Sequence, residues 1–440
     1  MNARVLSLLL RPAPGQGTLL ALPIVAFGVV TTLVLTVIGG AQSFWGWNDP
    51  EAPIYHGLAA TALVLLVVPL MGLGGAAARL SARRRDERLS TLRLLGVSPA
   101  GVATATVIES VLVAGVGAFA GVLGHLALSP LVGLIPFRGE QLGVMAVLLA
   151  PPLILAVFGS VLVLAAVSAG LGLRQVIISP LGVRTRATPT GAHWIRWVLA
   201  LSVLLIAFAM MQLFPGIGGY IVTIVVLAGV FGTALAVLNL IGPWVLKVTA
   251  ARRLRRAEQP DRMLAARIVL DSPKAAWRQV SGVSMASFMA VFAGTGVALM
   301  NVLGAEGAAA ADVMLAIDMR TGLVITLVAT FLMVAASVGV NQASEILDQR
   351  ELHRSLHHLG TPLATVDRAR RRAIMSPLLI TAVGSALCAG AMVFPLLGIA
   401  LITSPDSLLT IAVVVASGIG VVWASTMATR PLLARSFRVA

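Results

Sequence analysis

The chain has 440 residues, 58% of them hydrophobic and only 11% charged, with a mean hydropathy of +0.97. A soluble domain carries about a quarter charged residues, so a water-soluble globular protein is excluded. The formal net charge of +15 invites a nucleic-acid reading, but the placement of the basic residues makes it a topology signal, and no nucleic acid is expected as a partner.

In chain order, "NARVLSLLLRP" (residues 2–12) reads as an amphipathic helix lying on the inner membrane surface. Pro12, Pro14, Gly15 and Gly17 follow it, and no cleavable signal peptide is expected. Apolar runs then predict ten spans at roughly 18–42, 57–79, 100–128, 143–170, 197–214, 219–246, 281–302, 321–344, 373–401 and 408–429. The runs are continuous rather than alternating, which predicts helices and not a barrel. With both termini inside, all but two of the 32 Lys and Arg, namely Arg138 and Arg320, fall at or beyond the inner ends of the spans. Trp45, Trp47, Trp194, Trp197 and Trp244 sit near span ends as interfacial anchors. The same charge attracts anionic membrane lipids. The single cysteine, Cys388, excludes an intrachain disulfide.

Two charged inserts interrupt the hydrocarbon. "RDERLSTLRLLGVS" (85–98) and "QRELHRSLHHLGTP" (349–362) align at a constant offset, pairing Glu87 with Glu351, Leu92 with Leu356, Leu95 with Leu359 and Gly96 with Gly360. Each follows a span running inward and precedes one running outward. "ARVLSLLLRP" (3–12) and "ARIVLDSPKAAWR" (266–278) also match as basic amphipathic elbows before a span. The expected fold is therefore an all-α polytopic membrane protein of about ten helices, with two parallel four-helix repeats joined by a two-helix linker. The expected parts are residues 1–172 (elbow, spans one to four, coupling segment 80–98), 173–262 (spans five and six) and 263–440 (elbow, spans seven to ten, coupling segment 345–372).

A basic run, an acid and L-x-x-L-G directly after an inward span, followed by a span rich in small residues, resembles the FtsX-like permeases of ABC transporters. "RRRDERLSTLRLLGVSPAGVATATVIESVLVAGVGAFAGVLG" carries this likeness along its length. The second copy keeps Arg350 and Glu351 but has His357 and His358 where the first has Arg93 and Leu94. The ten-span layout resembles the peptide-antibiotic, bacitracin-type permeases, with one departure. Their large domain between spans seven and eight is here a loop at about 303–320, so roles tied to that domain do not carry over.

The resemblance implies a permease subunit in the bacterial cytoplasmic membrane, multi-pass, with a separate ATPase as engine and two ATPase copies per permease chain. A Walker A loop needs a Gly-Lys-Ser/Thr sequence. Lys247 follows a leucine and Lys274 a proline, so this chain is not expected to be an enzyme or to bind a cofactor; ATP and Mg belong to the partner. The inserts then read as coupling helices. Leu89, Leu92 and Leu95 form one apolar face for a groove on the ATPase, and Leu356 and Leu359 repeat it. Arg85, Glu87 and Glu351 would orient the contact. Gly96 and Gly360 suit a left-handed helix stop. The bland alternative is a pair of basic juxtamembrane loops.

Gly117 and Gly121 make a small-xxx-small pair for close helix packing, with a hinge or substrate surface as the alternative; Thr381 and Ser385 repeat the spacing. Glu109, inside a predicted span, reads as a hydrogen-bond or ion-pair partner, with proton coupling as the alternative. His125 reads as a packed polar residue. His353, His357 and His358 read as part of the ATPase-facing surface; a metal site would need a further ligand that the neighbouring sequence lacks. Arg138 and Glu140 read as solvated loop residues. The expected cargo is membrane-partitioned and amphiphilic, an antimicrobial peptide or lipid-like antibiotic, exported or extracted by mechanotransmission. The alternatives are a proton-coupled secondary exporter and a non-transporting regulator of cell-envelope processes.

Overall fold

The computed structural model describes residues 17–83, 99–178, 220–303 and 310–438. In chain order the helices are α1 (Gly17–Gln42), α2 (Ala52–Arg83), α3 (Pro99–Gly133), α4 (Val144–Val147), α5 (Pro151–Ile178), α6 (Tyr220–Arg255), α7 (Pro260–Asp271), α8 (Pro273–Leu303), α9 (Ala310–Asp348), α10 (Arg350–His358), α11 (Leu363–Met392), α12 (Phe394–Thr403), α13 (Pro405–Ala428) and α14 (Arg430–Arg438). A two-stranded hairpin, β1 (Pro136–Phe137) and β2 (Glu140–Gln141), follows α3. Eight of the described helices are long and apolar enough to cross a membrane, and a ninth is added if the bent pair Ala52–Val67 and Pro69–Ala77 is one span. The protein is thus an all-α multi-pass membrane protein. The expected fifth span, 197–214, lies outside the described residues.

The eighth expected span is longer than 321–344, since α9 runs from Ala310 to Asp348 and takes up most of the expected 303–320 loop; three others are cut at a backbone break. The ninth does not run on to residue 401: α11 stops at Met392, Val393 leaves helical geometry, and Pro395 opens α12. Proline lacks the N–H that would continue the ladder but is tolerated in a first helical turn. The fourth begins at Pro151 rather than 143, because Pro151 and Pro152 start a new helix after the single turn of α4. The elbow before the seventh is α7, which ends at Asp271, and Pro273 starts α8.

The described residues pack as two compact units. The first holds α1 to α5 with the hairpin, α9 from Ile317 onward, and Ala424–Leu432. Its core joins Phe27 and Val30 of α1, Leu73 of α2, Ala118 of α3, Val161 of α5 and Met333 of α9. α1 packs most extensively on α3, and glycine is the reason. A Cβ on Gly117 would stand 2.7 Å from the Ile24 carbonyl and the Phe27 Cβ, and one on Gly121 would stand 2.5 Å from the Thr31 Cβ. The two backbones meet where side chains would otherwise separate them. Thr32 Oγ1 donates across the crossing to the Gly121 carbonyl at 3.1 Å. Ser425 Oγ likewise donates to the Ala335 carbonyl of α9 at 2.6 Å.

The second unit holds α6, α7, α8, residues 351–358 of α10, α11, α12 and α13 as far as Trp423. Its most extensive pair is α8 on α11. In its core, which includes Met392, Phe288 and Phe292 stack and Phe231 meets both edge-on. Thr381 and Ser385 are buried, and each spends its hydroxyl on its own helix: Thr381 donates to the Leu378 carbonyl at 2.9 Å, Ser385 to the Thr381 carbonyl at 2.6 Å. A small polar face can be buried this way at no cost in unsatisfied groups. Both units present large apolar side chains outward, among them Leu155, Val163, Leu387 and Leu409. Such a girdle suits lipid and would be an aggregation surface in water.

Candidate functional site

The second insert is a discrete helix. α9 ends at Asp348 and α10 spans only Arg350–His358. Glu351 in its first turn complements the helix dipole, and His357 and His358 lie in its last turn. Gly360 then takes φ 79°, its N–H donates to the His357 carbonyl at 2.9 Å, and the Thr361 N–H donates to the Leu356 carbonyl at 3.0 Å. This paired bonding is the Schellman stop, which a side chain at Gly360 would strain.

The outer face of α10 is apolar where a solvated loop would be polar. Leu359 is 81% exposed and Leu352 53%, each about one turn from the half-buried Leu356, on either side of it. Leu352 was not among the residues singled out from the sequence, although the i, i+4, i+7 spacing of Leu352, Leu356 and Leu359 carries the signal. His353 corrects an expectation: it is buried, not part of the outer surface. Burial holds its pKa below the usual histidine range, and the nearby Arg370 guanidinium adds to that. His357 and His358 are exposed. Among the described residues no three potential metal ligands converge.

α10 leads into a charged helix start. On α11, Asp367 is buried and receives Arg370 Nη2 at 3.1 Å and Arg371 Nη2 at 3.0 Å. On α7, Asp261 is buried and receives Arg372, with Arg368 Nε at 3.7 Å. Asp261 thereby ties the elbow helix to α11, as Trp277 ties α8 to α6: its Nε1 donates to Asn239 Oδ1 at 2.6 Å, and the absent side chain of Gly242 leaves room for the ring. The Asp367 pairs are visible in sequence as acid and base at i+3 and i+4. The Asp261 pair is not, because 111 positions separate the partners.

In the first unit the hairpin after α3 forms a clasp. Arg138 and Gly139 occupy its turn with φ of 54° and 78°, the two left-handed positions of a type I′ turn. Arginine in the left-handed region is unfavourable by roughly 1 kcal/mol, so other contacts hold it. Its backbone N–H donates to the Asp318 carboxylate at 3.0 Å, and Tyr55 Oη donates to the same carboxylate at 2.7 Å. The guanidinium lies 4.1 Å from the Trp47 ring centroid and 4.4 Å from that of Tyr55. Its Nη2 donates to Asp49 Oδ1 at 2.9 Å, with Glu51 at 4.0 Å. The Arg138 hydrogen bond is the main reason the Asp49 pKa falls to about 2, and the carboxylate in turn pushes the guanidinium pKa further up. Phe44 packs edge-on against Phe137 at 4.9 Å. Arg138 is therefore a structural centre and not a solvated loop residue; Glu140 is exposed.

The remaining candidates fall as follows. Arg85, Glu87, Leu89, Leu92, Leu95 and Gly96 of the first insert, like the 2–12 elbow, lie outside the described residues. Glu109 is half-buried near the start of α3 and is not without a partner. His125 is fully buried between α1 and α3, with Nδ1 3.3 Å from Thr36 Oγ1 and its ring against Gly39.

No protein-family model matches this chain, and no curated protein matches it.

Proposed function

We propose that this chain is the permease subunit of an ATP-driven ABC transporter of the FtsX-like type, working as a mechanotransmitter on an amphiphilic, membrane-partitioned cargo. The observation that carries the reading is α10. A nine-residue helix stands between two spans in the sequence, stopped by a left-handed glycine, with Leu352 and Leu359 turned out to solvent. An isolated exposed leucine face on a charged helix is what a groove-binding contact needs, and a partner ATPase on the cytoplasmic side would supply the groove. ATP and Mg would be bound there.

The doubled layout supports the same reading. α3 starts at Pro99 and α11 at Leu363, the offset that aligns the two inserts, and the pairs α1 with α3 and α8 with α11 are each the most extensive packing of their unit. On this reading residues 1–172 and 263–440 are the two copies, 173–262 joins them, and one permease chain binds two ATPases. Closure of the ATPases would pull on both inserts and move the helices attached to them.

The test is recovery of the complex. Tagged full-length chain purified from its own membranes should bring down an ATPase at two copies per chain by native mass spectrometry. Leu359→Asp places a charge on the docking face, and a loss on the order of 2 kcal/mol should cut that recovery about thirtyfold while membrane insertion stays normal. Wild-type chain that purifies without an ATPase, or a Leu359→Asp chain that keeps it, overturns the reading.

A further inference from the structure

Between α6, α7 and α11 of the second unit lies a half-open cavity of about 510 Å³. Five arginines line it: Arg252 and Arg253 from the last turn of α6, Arg256 just after it, Arg262 from α7 and Arg372 from α11. Arg372 is committed to Asp261. Among the described residues, no carboxylate is paired with any of the other four. Deeper along the helices the lining turns apolar, with Leu246, Val269, Leu379 and Ile380.

The order of these residues is what matters. Leu246 lies 6 and 7 residues before Arg252 and Arg253 on α6, about 10 Å along the axis, and Ile380 lies about 12 Å beyond Arg372 on α11. The two helices run in opposite directions, yet their arginines meet at one end of the cavity and their aliphatic side chains at the other. Both helices belong to candidate membrane spans, Phe231–Arg255 and Leu363–Met392. The cavity therefore has a cationic mouth at the level where a span ends and an apolar floor at the level of the hydrocarbon. We infer that it is a binding site for an anionic phospholipid, with the headgroup phosphate among Arg252, Arg253, Arg256 and Arg262 and the upper acyl chain against Leu246, Leu379 and Ile380.

Arginine suits this ligand because its planar fork bonds two phosphate oxygens at once. A free phosphate would use the mouth but leave the floor unfilled. An acidic protein surface would meet the exposed guanidiniums but could not reach the aliphatic side chains within the span. Only a molecule with both parts matches both ends, and this holds whether or not the chain works with an ATPase.

The experiment uses full-length chain in detergent, titrated separately with phosphatidylglycerol, phosphatidylcholine and inorganic phosphate, with bound lipid read by native mass spectrometry. Phosphatidylglycerol should bind about tenfold more tightly than phosphatidylcholine, on the scale of roughly a tenfold change for one or two arginines at a membrane surface. The triple change Arg253→Gln, Arg256→Gln, Arg262→Gln should erase that preference and leave phosphatidylcholine binding unchanged. The charge-matched triple Lys274→Gln, Arg278→Gln, Arg354→Gln, exposed on the same unit outside the cavity, should keep it and so exclude a simple net-charge effect. Leu379→Asn should weaken phosphatidylglycerol about fivefold without changing phosphate binding. Phosphatidylglycerol preference that survives the cavity triple, or inorganic phosphate that displaces the lipid completely at millimolar concentration, overturns the inference. Loss of a copurifying ATPase from the cavity triple with lipid preference intact assigns the arginines to a protein contact instead, and overturns it as well.

Discussion

Arg138 in the first unit and the Arg252–Arg262 group in the second are the same residue type at the boundary of spans, and they meet opposite fates. Arg138 is enclosed: two aromatic rings, the Asp49 carboxylate and a backbone anchor on Asp318 use its stem, its plane and its charge. Arg252, Arg253, Arg256 and Arg262 are exposed and line a cavity without a carboxylate of their own. A basic residue near a membrane thus says little by itself. What separates structure from binding is whether the fold has already spent the charge.

The largest expected effect breaks the enclosed region. Asp318 is buried and accepts from both Tyr55 Oη and the Arg138 N–H. Asp318→Ala leaves both donors unsatisfied inside the protein and should cost about 3 kcal/mol, read as a fall in the unfolding midpoint of the detergent-solubilised chain. A smaller loss for Asp318→Asn, which keeps an acceptor, would sharpen the assignment. An unchanged midpoint for Asp318→Ala would show that the clasp carries no stability.

Next comes the direct contrast between the two kinds of arginine. Arg138→Gln removes the stacking and the Asp49 pair and should cost about 1.5 kcal/mol. Arg256→Gln, an exposed change of the same chemistry, should stay within about 0.5 kcal/mol. Equal losses in thermal unfolding would erase the distinction between the enclosed and the exposed arginines.

The smallest effect concerns pH at α10. Burial first, and Arg370 second, lower the pKa of His353. The folded state therefore takes up its proton at lower pH than the unfolded state does. The contribution of this group is fully present above the unfolded value of about 6.5 and is lost as pH falls from there toward the folded value. Amide exchange across residues 351–358, corrected for intrinsic rates, should speed up between pH 7.5 and 5.5 in the wild type. His353→Leu should flatten that dependence. Protection in α10 that rises on acidification would contradict the burial argument.

Much of the fold was legible because it depends on short-range properties. Apolar run length marked the spans, and Gly360 marked its helix stop because only a residue without Cβ enters the left-handed region freely. Gly117 and Gly121 marked a close crossing through their spacing, though not which helix they would meet. Less legible were the breaks at Pro151 and Pro395, where hydropathy stays high while the backbone loses a donor. Leu352 was missed because two other leucines of α10 had counterparts in the first insert and it had none. His353 was misplaced because three histidines in six residues look alike in sequence, while the helix turns one inward and two outward.

By itself the sequence determined that this is a helical membrane protein with charged inserts between its spans, since hydropathy, period and turn chemistry act over a few residues. Which charges distant in the chain are spent on each other was decided only by the tertiary structure. Asp49, Tyr55, Arg138 and Asp318 come together from three separated stretches, and Asp261 finds Arg372 across 111 positions. No local rule predicts such meetings. Electrostatics and hydrogen bonding are settled at distances of about 3 Å, and only the closed packing of the helices sets those distances.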